Sequence, residues 1–149
     1  MATDQVASNE FGEKLGFVVE EWTKERVVAT IPVEGNTQPD GWLHGGATCS
    51  LIESLASMGA AAVAGWPEKV VMGQQQTTSF LGTSRDGNVR GVATPVHLGK
   101  STHVWNVDVT HVESGKLIAS GRVTMAVRER RTGPPPEGVE LRYPGNNPT

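Results

Sequence analysis

The chain has 149 residues, with 13 Lys and Arg against 16 Asp and Glu, a formal net charge of -3. That length suits one domain able to bury a full core without staples, and no basic stripe marks a nucleic-acid partner. The single cysteine, Cys49, excludes an internal disulfide framework and fits a reducing cytoplasm.

Residues 1–13 carry acids and no apolar stretch, so they do not read as a secretory signal and are expected to be frayed. "LGFVVEEW" and "ERVVATIPV" then read as two strands joined by a turn around Thr23–Lys24, with Pro32 near the exit. The loop "EGNTQPDGW" leads into a helix, marked by Ala47, Leu51, Leu55 and Met58 at three- and four-residue spacing and widened by Ile52 and Ala56. "GWP" at Gly65–Pro67 ends it. Its apolar run from Leu55 to Trp66 is too short and too rich in Ala and Gly to span a bilayer.

Four strand-like runs follow, roughly Val70–Leu81, Asn88–Leu98, Ser101–Val112 and Lys116–Arg128, separated by "GTSRDG", "GK" and "ESG". Trp105, Val107 and Val109 alternate with Asn106, Asp108 and Thr110, and Val123, Met125 and Val127 with polar neighbours. One domain is expected over residues 1–131. From 132 to 149 the sequence "TGPPPEGVELRYPGNNPT" predicts an extended or disordered tail. The order β-β-α-β-β-β-β predicts an α+β domain in which a curved antiparallel sheet wraps one long central helix. The small residues Ala47, Ala56, Gly59, Ala60, Ala61 and Ala62 would allow the close approach.

Glu53 is the anomaly in that helix, which has no Lys or Arg to pair with it. The default for a helical glutamate is a solvated position; a carboxylate buried among small apolar residues needs a reason to bear its cost. At the helix start, Gly45 and Gly46 leave backbone N–H groups without intrahelical partners, at the positive end of the dipole. A carbonyl oxygen placed there would be stabilised as it becomes an oxyanion, and glycine lets a substrate approach the backbone. Ser57, four residues after Glu53, shares its helix face. His44 is open to two readings, a loop-structuring hydrogen bond or a direct catalytic contact. Cys49 reads as a small core filler, and His97, His103 and His111 lack partners at metal-ligand spacing, so no metal is expected.

The element order, with "QPDGWLHGGATCSLIES" at the loop–helix junction, resembles the hotdog-fold acyl-CoA thioesterases. Closest is the branch of 4-hydroxybenzoyl-CoA thioesterases of the Arthrobacter type, phenylacetate-pathway thioesterases and 1,4-dihydroxy-2-naphthoyl-CoA hydrolases. The resemblance covers roughly Leu15 to Arg131 and is most specific at Gln38-Pro39, Gly41, His44-Gly45-Gly46-Ala47, Glu53-Ser54 and Ser57. "NVRGVATPVHLGKSTHVW" also looks like the naphthoyl-CoA hydrolases. It implies a thioester hydrolase that needs no cofactor, coenzyme A being part of the substrate. Gln38 and the Gly45 N–H would hold the thioester, Glu53 would act as nucleophile or general base, and Ser57 would orient the carboxylate or a water. Lys100, Ser101, Thr102, Arg130 and Arg131 would meet the coenzyme A phosphates. Several relatives carry an arginine after "SFL"; here Gly82-Thr83 stands, and Arg85 is the candidate substitute. Trp42, Trp66 and Met58 are candidates to line an aryl pocket, although fatty acyl chains would also suit them.

Two alternatives stand beside this reading: a non-catalytic acyl-CoA-binding module, and a thioesterase for aliphatic acyl groups. A hydratase would need an acid/base pair on the helix, and no histidine follows Glu53 there. Gly45 and Glu53 are eight residues apart, about 12 Å along the axis at ~1.5 Å per residue. One helix therefore cannot readily serve one thioester carbon at both points. A homodimer with two composite sites is expected, and the resemblance implies a dimer of dimers, cytoplasmic, with neither a nucleic-acid nor a membrane partner.

Overall fold

A computed structural model describes residues 10–131 and Gly133. The tail expected over 132–149 thus lies, Gly133 apart, outside the described residues. Chain order is α1 (Glu10–Leu15), β1 (Val18–Trp22), β2 (Val27–Pro32), α2 (Gly45–Ala64), β3 (Lys69–Phe80), β4 (Asn88–Leu98), β5 (Thr102–His111) and β6 (Leu117–Glu129). The strands form one antiparallel sheet in the order β1-β2-β4-β5-β6-β3, curved around α2. The expected α+β hotdog architecture is what the chain adopts.

The N-terminal boundary differs from expectation. Part of the segment expected to fray is the helix α1, anchored by buried Leu15. It closes at Gly16, whose φ of +70° leaves the helical region and whose bare Cα lies against the Pro32 ring, so β1 begins at Val18 rather than Leu15. The signal was weak because six residues are too few to display a helical period. Helix α2 keeps the expected bounds, opening at Gly45 and capped at its C-terminus by Gly65. Its 20 residues, with mean hydropathy 1.4, are by length and composition enough to cross a bilayer. Here the sheet covers it: Leu51, Ile52, Leu55, Ala56 and Ala60 are fully buried.

The contact between layers is set by missing side chains. A Cβ at Gly59 would lie 2.6 Å from the Trp105 indole, and one at Gly91 would lie 2.3 Å from Leu55 Cδ1. Trp105, Val107 and Val109 are all completely buried on the inner face, as their alternation predicts.

His103 shares that inner face and is only 3% exposed, and its Nδ1 has no hydrogen-bond partner among the described residues. Burial pushes its imidazole below the ordinary value, with His97 and Lys69 adding to the effect and a hydrogen bond to the Gly99 backbone opposing it. The unfolded chain then binds the extra proton more readily, so this site's stability is fully present at neutral pH. It is lost as pH falls below about 6.5, the unfolded histidine value, toward the lower folded one. Urea midpoints measured between about pH 7.5 and pH 5.5 should fall in wild type and fall less in His103→Leu.

Candidate active site

The loop before α2 is held at several points. Asn36 donates from Nδ2 to the carbonyls of Leu15 and Pro32, the His44 N–H donates to the Asn36 carbonyl, and the Leu43 N–H donates to the Ser84 carbonyl. Within this frame the Gln38 N–H bonds the Trp42 carbonyl, and the Asp40 N–H donates to Gln38 Oε1 at 2.7 Å. The amide oxygen of Gln38 is thereby occupied. Its Nε2 donates to no group among the described residues, which leaves the side chain as a hydrogen-bond donor.

His44 makes the structural contact among its two readings: it is the N-cap of α2, and its Nδ1 accepts from the Gly46 N–H at 2.8 Å. That bond commits Nδ1 as acceptor, so His44 is not paired with Cys49 as the base of a thiol nucleophile. The Gly45 N–H, one residue earlier, has no hydrogen-bond partner among the described residues. A Cβ at Gly45 would stand 3.2 Å from the Phe80 ring, so the end of β3 lies on the helix N-terminus. Phe80 is nevertheless 56% exposed. The sequence offered no signal for this contact, because Phe80 reads there as one more strand residue.

Further along α2, Glu53 is half-buried, and Ser57 donates to its Oε1 at 2.8 Å. Among the described residues no Lys or Arg forms an ion pair with Glu53. The carboxylate opens onto a concavity of ≈ 250 Å³ lined by Gly73, Gln74, Gln75, Gln76 and Val123. Beside it runs β3, one of the two edge strands of the sheet. Glu53 and Ser57 are thus brought together, whereas Gln38 lies in the loop before α2 and Gly45 at the helix start.

A second concavity, of ≈ 340 Å³, is lined by Lys69, Lys100, Ser101, Val127, Arg128, Glu129 and Arg131. Four cations face one carboxylate there, and Glu129 lies 3.8 Å from Lys69. Of the residues expected at the phosphates, Lys100, Ser101 and Arg131 belong to this cluster. Thr102 is adjacent, its carbonyl accepting from the Gly99 N–H. Arg130 is turned elsewhere: its guanidinium stacks 4.3 Å from the Trp66 ring centre and its Nε donates to the Pro67 carbonyl at 2.7 Å. Arg85 stacks 4.0 Å over Trp42, near the helix start and away from the cluster. Trp42 and Trp66 flank opposite ends of α2, about 30 Å apart for 20 residues, so within one chain they do not line a common pocket.

The chain is also similar to known proteins. The sequence model of the thioesterase superfamily matches residues 40–118. A 1,4-dihydroxy-2-naphthoyl-CoA hydrolase of Escherichia coli is 37% identical over 120 residues, covering 78% of this chain and 87% of that one. The proofreading thioesterase EntH of Cronobacter sakazakii is 35% identical over 116 residues, covering 77% and 83%. The crystal structure of a mutant thioesterase, PA1618, from Pseudomonas aeruginosa superposes with a TM-score of 0.78 at 35% identity, covering 82% and 88%. With the sheet, the helix and the loop–helix junction all accounted for, this chain belongs to the thioesterase superfamily and is a thioester hydrolase on the hotdog fold.

Proposed function

We propose that the chain is a cytoplasmic acyl-CoA thioesterase for an aromatic acyl group, working as a dimer in which each site draws on both subunits. The observation that carries this reading is the split of the site. Gln38 Nε2 and the Gly45 N–H are open donors at one end of α2, and the Ser57-bound Glu53 carboxylate is about 12 Å further along the same helix. The reacting atoms must come within roughly 3–3.5 Å, so the carboxylate that serves Gln38 and Gly45 comes from a second copy. The outer edge of β3 supports such pairing. It is 12 residues long and carries exposed Met72 and Phe80, with Leu81 just beyond, and an open strand edge invites another strand.

In the composite site the thioester oxygen accepts from Gln38 and Gly45, and both bonds strengthen as the carbonyl carbon is attacked and the oxygen becomes anionic. Glu53 attacks that carbon or takes the proton of an attacking water, while Ser57 fixes the orientation of its carboxylate. The thiolate of coenzyme A leaves, and in the route where Glu53 is the nucleophile a water then cleaves the acyl–Glu53 anhydride to release the free acid. Lys69 in the cationic concavity and Phe80 at Gly45 are eleven strand residues apart, about 36 Å at ~3.3 Å each, whereas Lys69 and Gly73 are about 13 Å apart. The phosphates would therefore be held by Lys100, Ser101 and Arg131 of the chain that supplies Glu53. Arg130, engaged with Trp66 and Pro67, plays no part in this scheme.

The aromatic preference rests on the exposed Phe80 ring against the oxyanion donor, a face on which an aryl group can stack. Release of free thiol from matched aryl-CoA, alkyl-CoA and pantetheine esters tests the reading. The aryl-CoA should give the highest kcat/KM, and the truncated aryl ester should show a raised KM. Equal rates for alkyl substrates would shift the assignment to aliphatic esters, and binding without thiol release would make the chain a carrier.

A further inference from the structure

Strand β3 pairs with β6 one for one from Lys69↔Glu129 to Gly73↔Met125 and resumes at Gln75↔Thr124, leaving Gln74 bulged out of the ladder. Gly73 stands at the start of this bulge. Its backbone does not call for glycine, because its φ is not in the left-handed region. Nor does the apolar core: a Cβ there would meet Glu53 Oε1 at 2.9 Å, Glu53 Cγ at 3.6 Å and Glu53 Cδ at 3.7 Å as its three nearest atoms. Gly59 and Gly91, by contrast, make room for Trp105 and Leu55 in the core. The same Oε1 accepts from Ser57 at 2.8 Å.

We propose that Gly73 is a positioning residue for the Glu53 carboxylate, its bare Cα forming a wall against which Ser57 holds the reacting oxygen. The inference rests on the role given to Glu53 above. A methyl at position 73 obstructs the far end of a flexible side chain, which can swing aside at little cost to folding. What it loses is its place relative to the thioester carbon, and a displacement of about 1 Å there is worth on the order of 100-fold in rate.

Gly73→Ala should therefore lower kcat by on the order of 10–100-fold, with KM, thermal midpoint and oligomeric mass close to wild type. Glu53→Asp supplies a readout that a merely structural role would not move. The shorter carboxylate no longer reaches the wall, so adding Gly73→Ala to Glu53→Asp should cost little further, a strongly non-additive cycle. Wild-type kcat in Gly73→Ala, losses that simply multiply in the double variant, or a loss that comes with a changed mass or raised KM would each overturn the proposal. If Glu53→Ala is inactive while Gly73→Ala is normal, positioning alone fails. If Glu53→Ala retains activity, the underlying assignment of Glu53 fails instead.

Discussion

Glu53→Ala should fold as wild type does and lose at least ~100-fold in kcat for an acyl-CoA ester, with a far smaller change in KM. The helix around it explains why folding survives. Glu53 makes no ion pair among the described residues, and its carboxylate is bonded only to Ser57 in its own helix. Alanine is the best helix former, and removing a half-buried carboxylate relieves desolvation rather than opening a core cavity. The loss is therefore expected in the transition state, where the carboxylate attacks or takes a proton, and not in substrate binding. Stopped-time thiol release together with a thermal melt checks both halves. A folded variant with near-normal turnover rules out Glu53 as the reacting group.

The second large effect is expected in mixed dimers purified through two different tags. Joining a Gln38→Ala chain to a Glu53→Ala chain restores one complete site of two, and activity should return to about half that of wild type. Joining a wild-type chain to the Gln38→Ala/Glu53→Ala double mutant should give almost none, because each site then lacks one member. The two hybrids contain the same number of altered residues, so only their distribution between chains separates the outcomes. Half activity in the second hybrid and none in the first would mean that each site is built within one chain.

The sequence was informative wherever one strand face or one helix stripe determines burial. The alternation at Trp105, Val107 and Val109 marks the inner face of β5, and the Ala47–Leu51–Leu55 stripe marks the buried side of α2. Glu53 stood out because its charge did not suit its surroundings, Gly45 because it opens the helix, and Gln38 only through the resemblance to the thioesterases. Contacts between segments distant in the chain were another matter. The ring of Phe80 on Gly45, the stacking of Arg130 on Trp66 and the opening beside Glu53 all depend on where the curved sheet ends. Arg130 and Arg131 are neighbours of the same charge, and nothing local says which one faces a phosphate. Gly73 did leave a trace, since a lone glycine inside a strand-like run signals a bulge or a close approach. The trace becomes specific only once Glu53 is seen against it.

The tight fit of Gly59 to Trp105 and of Gly91 to Leu55 bears on how this enzyme can be given new substrates. Helix and sheet leave no chamber for a substrate at these contacts, because there even an added methyl group has no room. Truncating Trp105 would open space, but only by removing the largest fully buried side chain of the domain. Specificity is left to the rim, where Trp42, Phe80 and Arg85 are at least partly exposed and can be exchanged without disturbing the interior. A library confined to those three positions should change acyl preference while leaving the stability of the scaffold nearly untouched, whereas one directed at the inner face would spend most of its members on unfolded protein.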